Sequence, residues 1–265
     1  MRKYIIYIIL ILSLFSCEEA IEWEQKGEFT PRLVVDAMIT NKAGYNYVKL
    51  TLPVSQSGEV PNIVSGANVA VRTDETDFVL FTEDPINPGY YSPESNIRGV
   101  VNQFYLLYIA KDQYEFYATA AMIPVVPLSD IQYYEDQQNP GNYRIIFPES
   151  NNPSMIRYIA DFTDFSTGTS QQSVFYNYNL STVDVNEFFK PAKESLSFPA
   201  NTRIIRMKYS LAPDHERYIR SLLSETEWKG GWFDVMPGNL HTNLSAGGVG
   251  YFGASSLVID TVFFE

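Results

Sequence analysis

Two histidines, one cysteine and a few groups of carboxylates are the residues of this 265-residue chain whose types could do chemistry. A Ser-His-Asp hydrolase would have to recruit His215 or His241, and no G-x-S-x-G elbow accompanies either. Neither H-E-x-x-H nor a Cys/His zinc spacing occurs, so no transition-metal site is expected. Asp74, Glu75 and Asp77, Glu83 with Asp84, and Asp161 with Asp164 could offer hard oxygens to Ca2+, but none stands in an EF-hand pattern. They read more simply as turn acids on a solvated surface. Glycoside hydrolysis needs two carboxylates ~5–9.5 Å apart, a distance that sequence alone does not set. Gly248-Val249-Gly250-Tyr251-Phe252-Gly253 fits G-x-G-x-x-G, yet only ASSLVIDTVFFE follows it, too little for a βαβ unit. The glycines read instead as a tight turn or bulge between strands. The sequence thus predicts no catalytic residue, no cofactor and no metal.

Aromatic rings beside polar groups are the better candidates for binding. Trp232 and Phe233 follow Gly230-Gly231 and precede Asp234 and Pro237, which puts them on a loop leaving a helix. With Asn239, His241, Asn243 and Tyr251 they make the predicted ligand-binding set, rings for stacking and amides or imidazole for hydrogen bonds. The competing reading is that rings such as Trp228 and Trp232 cap the core where the helix docks.

Cys17 points to a different chemistry. Arg2 and Lys3 precede an apolar run, Tyr4 to Leu14, of signal-peptide length and well short of the ~20 residues of a membrane span. Leu14-Phe15-Ser16-Cys17 resembles a bacterial lipobox, with the bulky Phe15 as its departure. Residues 1–16 are therefore expected to be a cleaved signal. Cys17 is expected to be lipidated, and residues 17–30 to be an acidic tether. Cys17 is the single cysteine, so no intrachain disulfide is available and stability must come from burial.

Loss of the two cations Arg2 and Lys3 takes the formal charge from −12 to −14. No basic stretch remains that could track phosphates, so nucleic acid is not an expected partner. Nineteen tyrosines and seventeen phenylalanines favour strands. From Pro31 to Pro124, short alternating runs recur about every ten residues between Gly, Pro, Asn and Asp, which predicts an immunoglobulin-like β-sandwich domain over 31–124. The prolines of PVVPL (124–128) mark a boundary. Residues 125–265 are expected to form a second β-rich domain with one packed α-helix over 213–229. Pro213 suits its first position, Asp214 and Glu216 its positive end, and Gly230-Gly231 its stop. A short helical turn is expected at 184–190.

Several stretches recur in combination: the lipobox with its acidic tether, PRLVVDAMIT, VSGANVAV, LAPDHERYIRSLL, and the block PGNLHTNLSAGGVGYFGASS. In this order they resemble the Bacteroidota outer-membrane lipoproteins grouped as domain of unknown function 4249. The resemblance spans most of the chain, and the C-terminal block is its most specific part. It implies an exported outer-membrane lipoprotein whose genes often lie near those of TonB-dependent transporters, and the acidic residues after Cys17, which resemble a surface-export signal, favour the cell exterior. It implies no enzyme activity and supplies no catalytic residues. The expected role is a non-enzymatic accessory that captures or hands over a transporter's ligand. A free-standing module binding a glycan or peptide, an adhesion module, and a hydrolase without a readable motif are the alternatives.

Overall fold

Alternation builds the first layer. In LVVDAMIT, residues Leu33, Val35, Ala37 and Ile39 turn one way and are buried together, which leaves Asp36 on the other face. The computed structural model describes residues 33–54, 58–73, 77–147, 150, 152–163, 168–181, 196–228, 240–245 and 247–264. Seven strands come first: β1 (Leu33–Thr40), β2 (Tyr47–Thr51), β3 (Asn68–Arg72), β4 (Phe78–Glu83), β5 (Tyr90–Pro93), β6 (Phe104–Lys111) and β7 (Tyr114–Ala121). Then come β8 (Gln132–Glu135), β9 (Asn142–Ile146), β10 (Ser154–Thr163), β11 (Ser170–Asn179), β12 (Phe198–Pro199) and β13 (Arg203–Ser210). Helix α1 (Pro213–Thr226) follows, and β14 (Gly248–Ser255) and β15 (Leu257–Phe263) close the chain. Among the described residues the fold is mainly β with one α-helix, as the composition and periodicity predict.

The first sheet has eight strands in the order β14-β1-β2-β5-β4-β3-β6-β7. Its pairings β1-β2-β5-β4 and β3-β6-β7 follow the strand order of an immunoglobulin constant-type sandwich. Here, however, β3 and β4 stay hydrogen-bonded, so one layer curls almost shut where two separate sheets were expected. Ile39, Val48, Leu50, Leu107, Ile109 and Phe252 fill its interior and are fully buried, each contributing about 1.5–3 kcal/mol of burial.

Strand β14 is the glycine-rich stretch expected to be a turn. It runs parallel to β1 over eight residue pairs, from Leu33 opposite Gly248 to Thr40 opposite Ser255. Gly250 makes this possible: its φ is +95°, and a Cβ there would lie 2.0 Å from the Val35 carbonyl oxygen. The glycines serve the approach of two backbones rather than a reversal.

Asn243 stitches the remaining seam between β7 and β14. Its amide nitrogen donates to the carbonyls of Thr119 and Phe252, both at 2.8 Å, and its oxygen accepts from the Phe252 N–H at 3.0 Å. Two residues on, the Ser245 N–H donates to the Tyr117 carbonyl and the Ser245 hydroxyl accepts from the Tyr117 N–H. Edge groups that would otherwise seek a foreign strand are thereby satisfied.

After β7 the chain leaves this sheet, and it returns at β14. The intervening strands, joined by β15, make a four-stranded sheet, β11-β10-β13-β15, that packs one face on the three-stranded β12-β9-β8. Aromatic rings fill that interface, with Tyr158, Phe175 and Phe198 in a stacked series and Tyr133 against Phe264. Ser256 alone separates β14 from β15, so one segment serves both sheets. The Ser210 hydroxyl holds the junction: it donates to the Ile123 carbonyl and accepts from the Ser256 N–H. Arg32–Glu265 accordingly form one compact unit.

Helix α1 starts at Pro213 as predicted but stops at Thr226, three residues early. The Trp228 N–H reaches back five residues to the Leu223 carbonyl, and the ring turns inward to join Leu211, Ile219 and Leu223. Burial of Trp228 ends the helix before the glycines are reached. Residues 229–239 and the expected turn at 184–190 lie outside the described residues.

Candidate functional site

The outer face of the first sheet carries polar side chains in register. Tyr251 on β14 is paired with Asp36 on β1, Asp36 with Lys49 on β2, and Lys49 with Tyr90 on β5. Helix α1 lies over the β14 end of this row. Gly253, one step along β14, leaves the room: a Cβ there would sit 2.9 Å from His215 Cε1 and 2.9 Å from Met38 Cε. His215 and Tyr218 then both stack on Tyr251, with centroids 4.7 and 4.9 Å away.

Asp214, in the first turn of α1, ties this corner together. One carboxylate oxygen meets His241 Nε2 at 2.8 Å, and the other accepts from the Tyr251 hydroxyl at 3.1 Å. Burial, followed by the Asp214 charge and hydrogen bond, pushes the Tyr251 hydroxyl far above the usual tyrosine range, so it keeps its proton. His215 is buried, and burial lowers it to about 4 although the nearby Asp214 charge pulls upward. It is a neutral, packed ring at any ordinary pH.

The Asp–His pair invites comparison with a hydrolase triad, but the nucleophile position is committed elsewhere. Ser221, the serine beside His241, accepts from the His241 backbone N–H at 3.1 Å and donates to the Tyr218 carbonyl at 2.8 Å. Proton transfer from a serine needs that hydroxyl on the free imidazole nitrogen. The arrangement locks the helix start to β14 and to the strand-closing segment. Among the described residues no group of three or more His, Cys, Asp or Glu could hold a metal ion.

Asp36 has a different environment. Its side chain stays open to solvent, yet the protein around it is dense enough that burial raises its pKa, with the Tyr47 hydrogen bond and the Lys49 charge pulling the other way. The carboxylate is thus exposed on the outer face with protein crowded around it. Tyr47 donates its hydroxyl to Asp36 Oδ1 at 2.9 Å, and its ring stacks on Tyr90 at 5.6 Å and 10°. Tyr218 lies near Asp36, and Tyr209 near Tyr47 and Tyr90. The Asp36 charge raises the Tyr218 pKa after burial, and burial takes Tyr209 to about 12. Asp36, with Lys49 beside it, is thus neighboured by tyrosines. It can accept hydrogen bonds or a positive charge while rings pack on an apolar or sugar-like face.

Of the predicted binding set, the structure brings His241 and Tyr251 together through Asp214 and assigns Asn243 to the seam between strands. Trp232, Phe233 and Asn239, like Cys17, lie outside the described residues. Asp36, Tyr47 and Tyr90 were not predicted. A signal for them existed: Asp36 is a lone acid in the apolar run VVDAM, and Tyr47 and Lys49 alternate with Val48 and Leu50. What strand patterning does not carry is the neighbour across the sheet.

The family described as Domain of unknown function (DUF4249) matches residues 18–258. The chain belongs to that family. The match takes in Asp36 and its tyrosines, the helix corner and all of β14, part of the block on which the resemblance rests. No curated protein and no solved structure matches the chain.

Proposed function

We propose that this member of the family is a non-enzymatic outer-membrane lipoprotein, anchored through acylated Cys17 and facing the cell exterior. Its role is to capture a small ligand, or hand it over, as the accessory of a TonB-dependent outer-membrane transporter. The observation that carries the binding role is the exposed yet crowded Asp36 beside the stacked Tyr47 and Tyr90. An ionisable group crowded by protein but left open to water costs stability, and a ligand able to pair with it restores that loss. The anchor rests on the run from Arg2 to Cys17, and the transporter on family resemblance. Purification of the lipidated chain from its native membrane in mild detergent, with mass spectrometry of its partners, tests the proposal. A stoichiometric β-barrel transporter supports it. Recovery of the lipoprotein alone across several detergents overturns the accessory role.

The stacked pair Tyr47–Tyr90 beside Asp36 favours a second reading, a free-standing module that takes a glycan or peptide on the same face. Glycan-array binding by the isolated lipoprotein, lost in Tyr90→Ala with the fold retained, selects it over the accessory role.

A further inference from the structure

Six arginines lie beyond Pro124, and five of them are paired with acids: Arg144 with Asp136, Arg203 with Asp161, Arg206 with Asp260, Arg217 with Asp214 and Arg220 with Glu216. The sixth, Arg157, sits in the middle of β10. Among the described residues it has no hydrogen bond, ion pair or ring contact, and its Nε is closed off from solvent without an acceptor. A half-buried guanidinium left in this state costs stability that an arriving anion restores.

Alternation puts the cation on an apolar surface. In SMIRYIADFT, residues Ile156, Tyr158 and Ala160 turn toward the aromatic interface, so Met155, Arg157, Ile159 and Asp161 share the other face of the four-stranded sheet. Register sets Tyr176 of β11 on one side of Arg157 and Met207 of β13 on the other. With Met155 and Ile159 before and after it, all four neighbouring positions are apolar or aromatic. Met155, Ile159 and Met207 pack with Ile205, Tyr209 and Ile259. The acid that shares this face, Asp161, is already filled: it accepts from Arg203 Nε at 3.0 Å and from Gln172 Nε2 at 2.7 Å. The face stays partly in water, with Val174 44% and Tyr176 47% exposed.

Tyr209, diagonal to Arg157 across the β10–β13 pair, adds a donor. Burial takes its pKa to about 12 against the pull of the Arg157 charge, so its hydroxyl keeps the proton. We propose that this face holds a small organic anion, with a carboxylate or phosphate head on Arg157 and Tyr209 and an apolar body along Ile159, Ile205 and Tyr176. The site belongs to the four-stranded sheet and does not rest on the reading of Asp36. Charge complementarity decides the occupant, since an unpaired fork of N–H donors matches an oxyanion and the surrounding side chains match its body. A second copy of the chain fits the face less well, because a two-fold contact would bring two unpaired cations into one interface.

The test is a calorimetric titration of the full-length chain in lipid nanodiscs, with empty nanodiscs as the blank. The probes are 3-phenylpropanoate, phenethyl phosphate, the neutral 3-phenylpropanamide and acetate. At least one of the two aromatic anions should bind about tenfold or more tightly than both the amide and acetate. Arg157→Met should remove that preference with native-state proteolysis unchanged, and Arg72→Gln, which deletes an exposed cation of the first sheet, should keep it. The comparison of probes on the unaltered protein stands even where Arg157→Met does not fold. Equal binding of anions and amide, no binding of either anion, or a preference that survives in folded Arg157→Met overturns the proposal. A dimer seen by sedimentation in detergent that Val174→Asp dissolves assigns the face to a second copy and overturns it as well.

Discussion

Asp214 and Asp36 flank the same residue, Tyr251, and have opposite fates. Asp214 gives one oxygen to His241 and the other to Tyr251. Asp36, paired with Tyr251 along the backbone, has one tyrosine hydroxyl and open water. A carboxylate whose acceptors are filled by the fold is a fastening, and removing it leaves donors stranded. A carboxylate that is crowded yet exposed is where, on the proposal above, a ligand would pair. The difference lies in what each side chain faces, since both sit in well-packed, locally regular elements.

That contrast can be broken first at the fastening. Gly253→Val drives side-chain carbons into His215 and Met38 and lifts the helix from β14, which should cost about 3–4 kcal/mol in overpacking and lost stacking. Urea unfolding measures it, and a loss below 1 kcal/mol means that the helix packs elsewhere.

The next effect is one of pH. The His215 pKa falls from the ordinary 6.5 to about 4 on folding, so between those values the unfolded chain binds the extra proton. Stability from this site is complete above pH 6.5 and is lost as the pH falls toward 4, by at most about 3 kcal/mol. Unfolding curves across pH 4.5–7.5 should show this slope, and His215→Phe should flatten it. A slope unchanged in that variant assigns it to other groups.

Much of the architecture was legible before the structure. Period-two alternation in LVVDAMIT and NTRIIRMKYS predicts strands, and Pro213 with its following acids predicts where the helix starts. Three features were not legible, each for a physical reason. Gly248–Gly253 reads as a turn because its parallel partner, β1, is some two hundred residues away in sequence and contributes nothing local. Helix α1 stops early because Trp228 gains more from burial than from one more helical turn, which no capping signal records. Asp36 looks like an ordinary outward residue of a strand until Tyr47 and, from the helix, Tyr218 come near it. Asn243 was singled out for its polarity, and the structure uses that polarity on backbone groups of two edges.

The smallest expected effects decide the most. Substituting alanine for Asp214 should cost about 2 kcal/mol, chiefly because the buried Tyr251 hydroxyl loses its acceptor. At Asp36 the raised pKa means that ionisation is disfavoured by folding, so stability falls as the pH rises through its folded value. Removing the carboxylate at neutral pH relieves that strain, and the partly exposed Tyr47 hydroxyl can turn to solvent. The most direct measurement is therefore a side-by-side urea titration of Asp214→Ala and Asp36→Ala at pH 7. The account predicts a clear loss for the first and, for the second, a change within about 0.5 kcal/mol or a gain. A loss at Asp36 equal to that at Asp214 would contradict it and make both carboxylates fastenings of the fold.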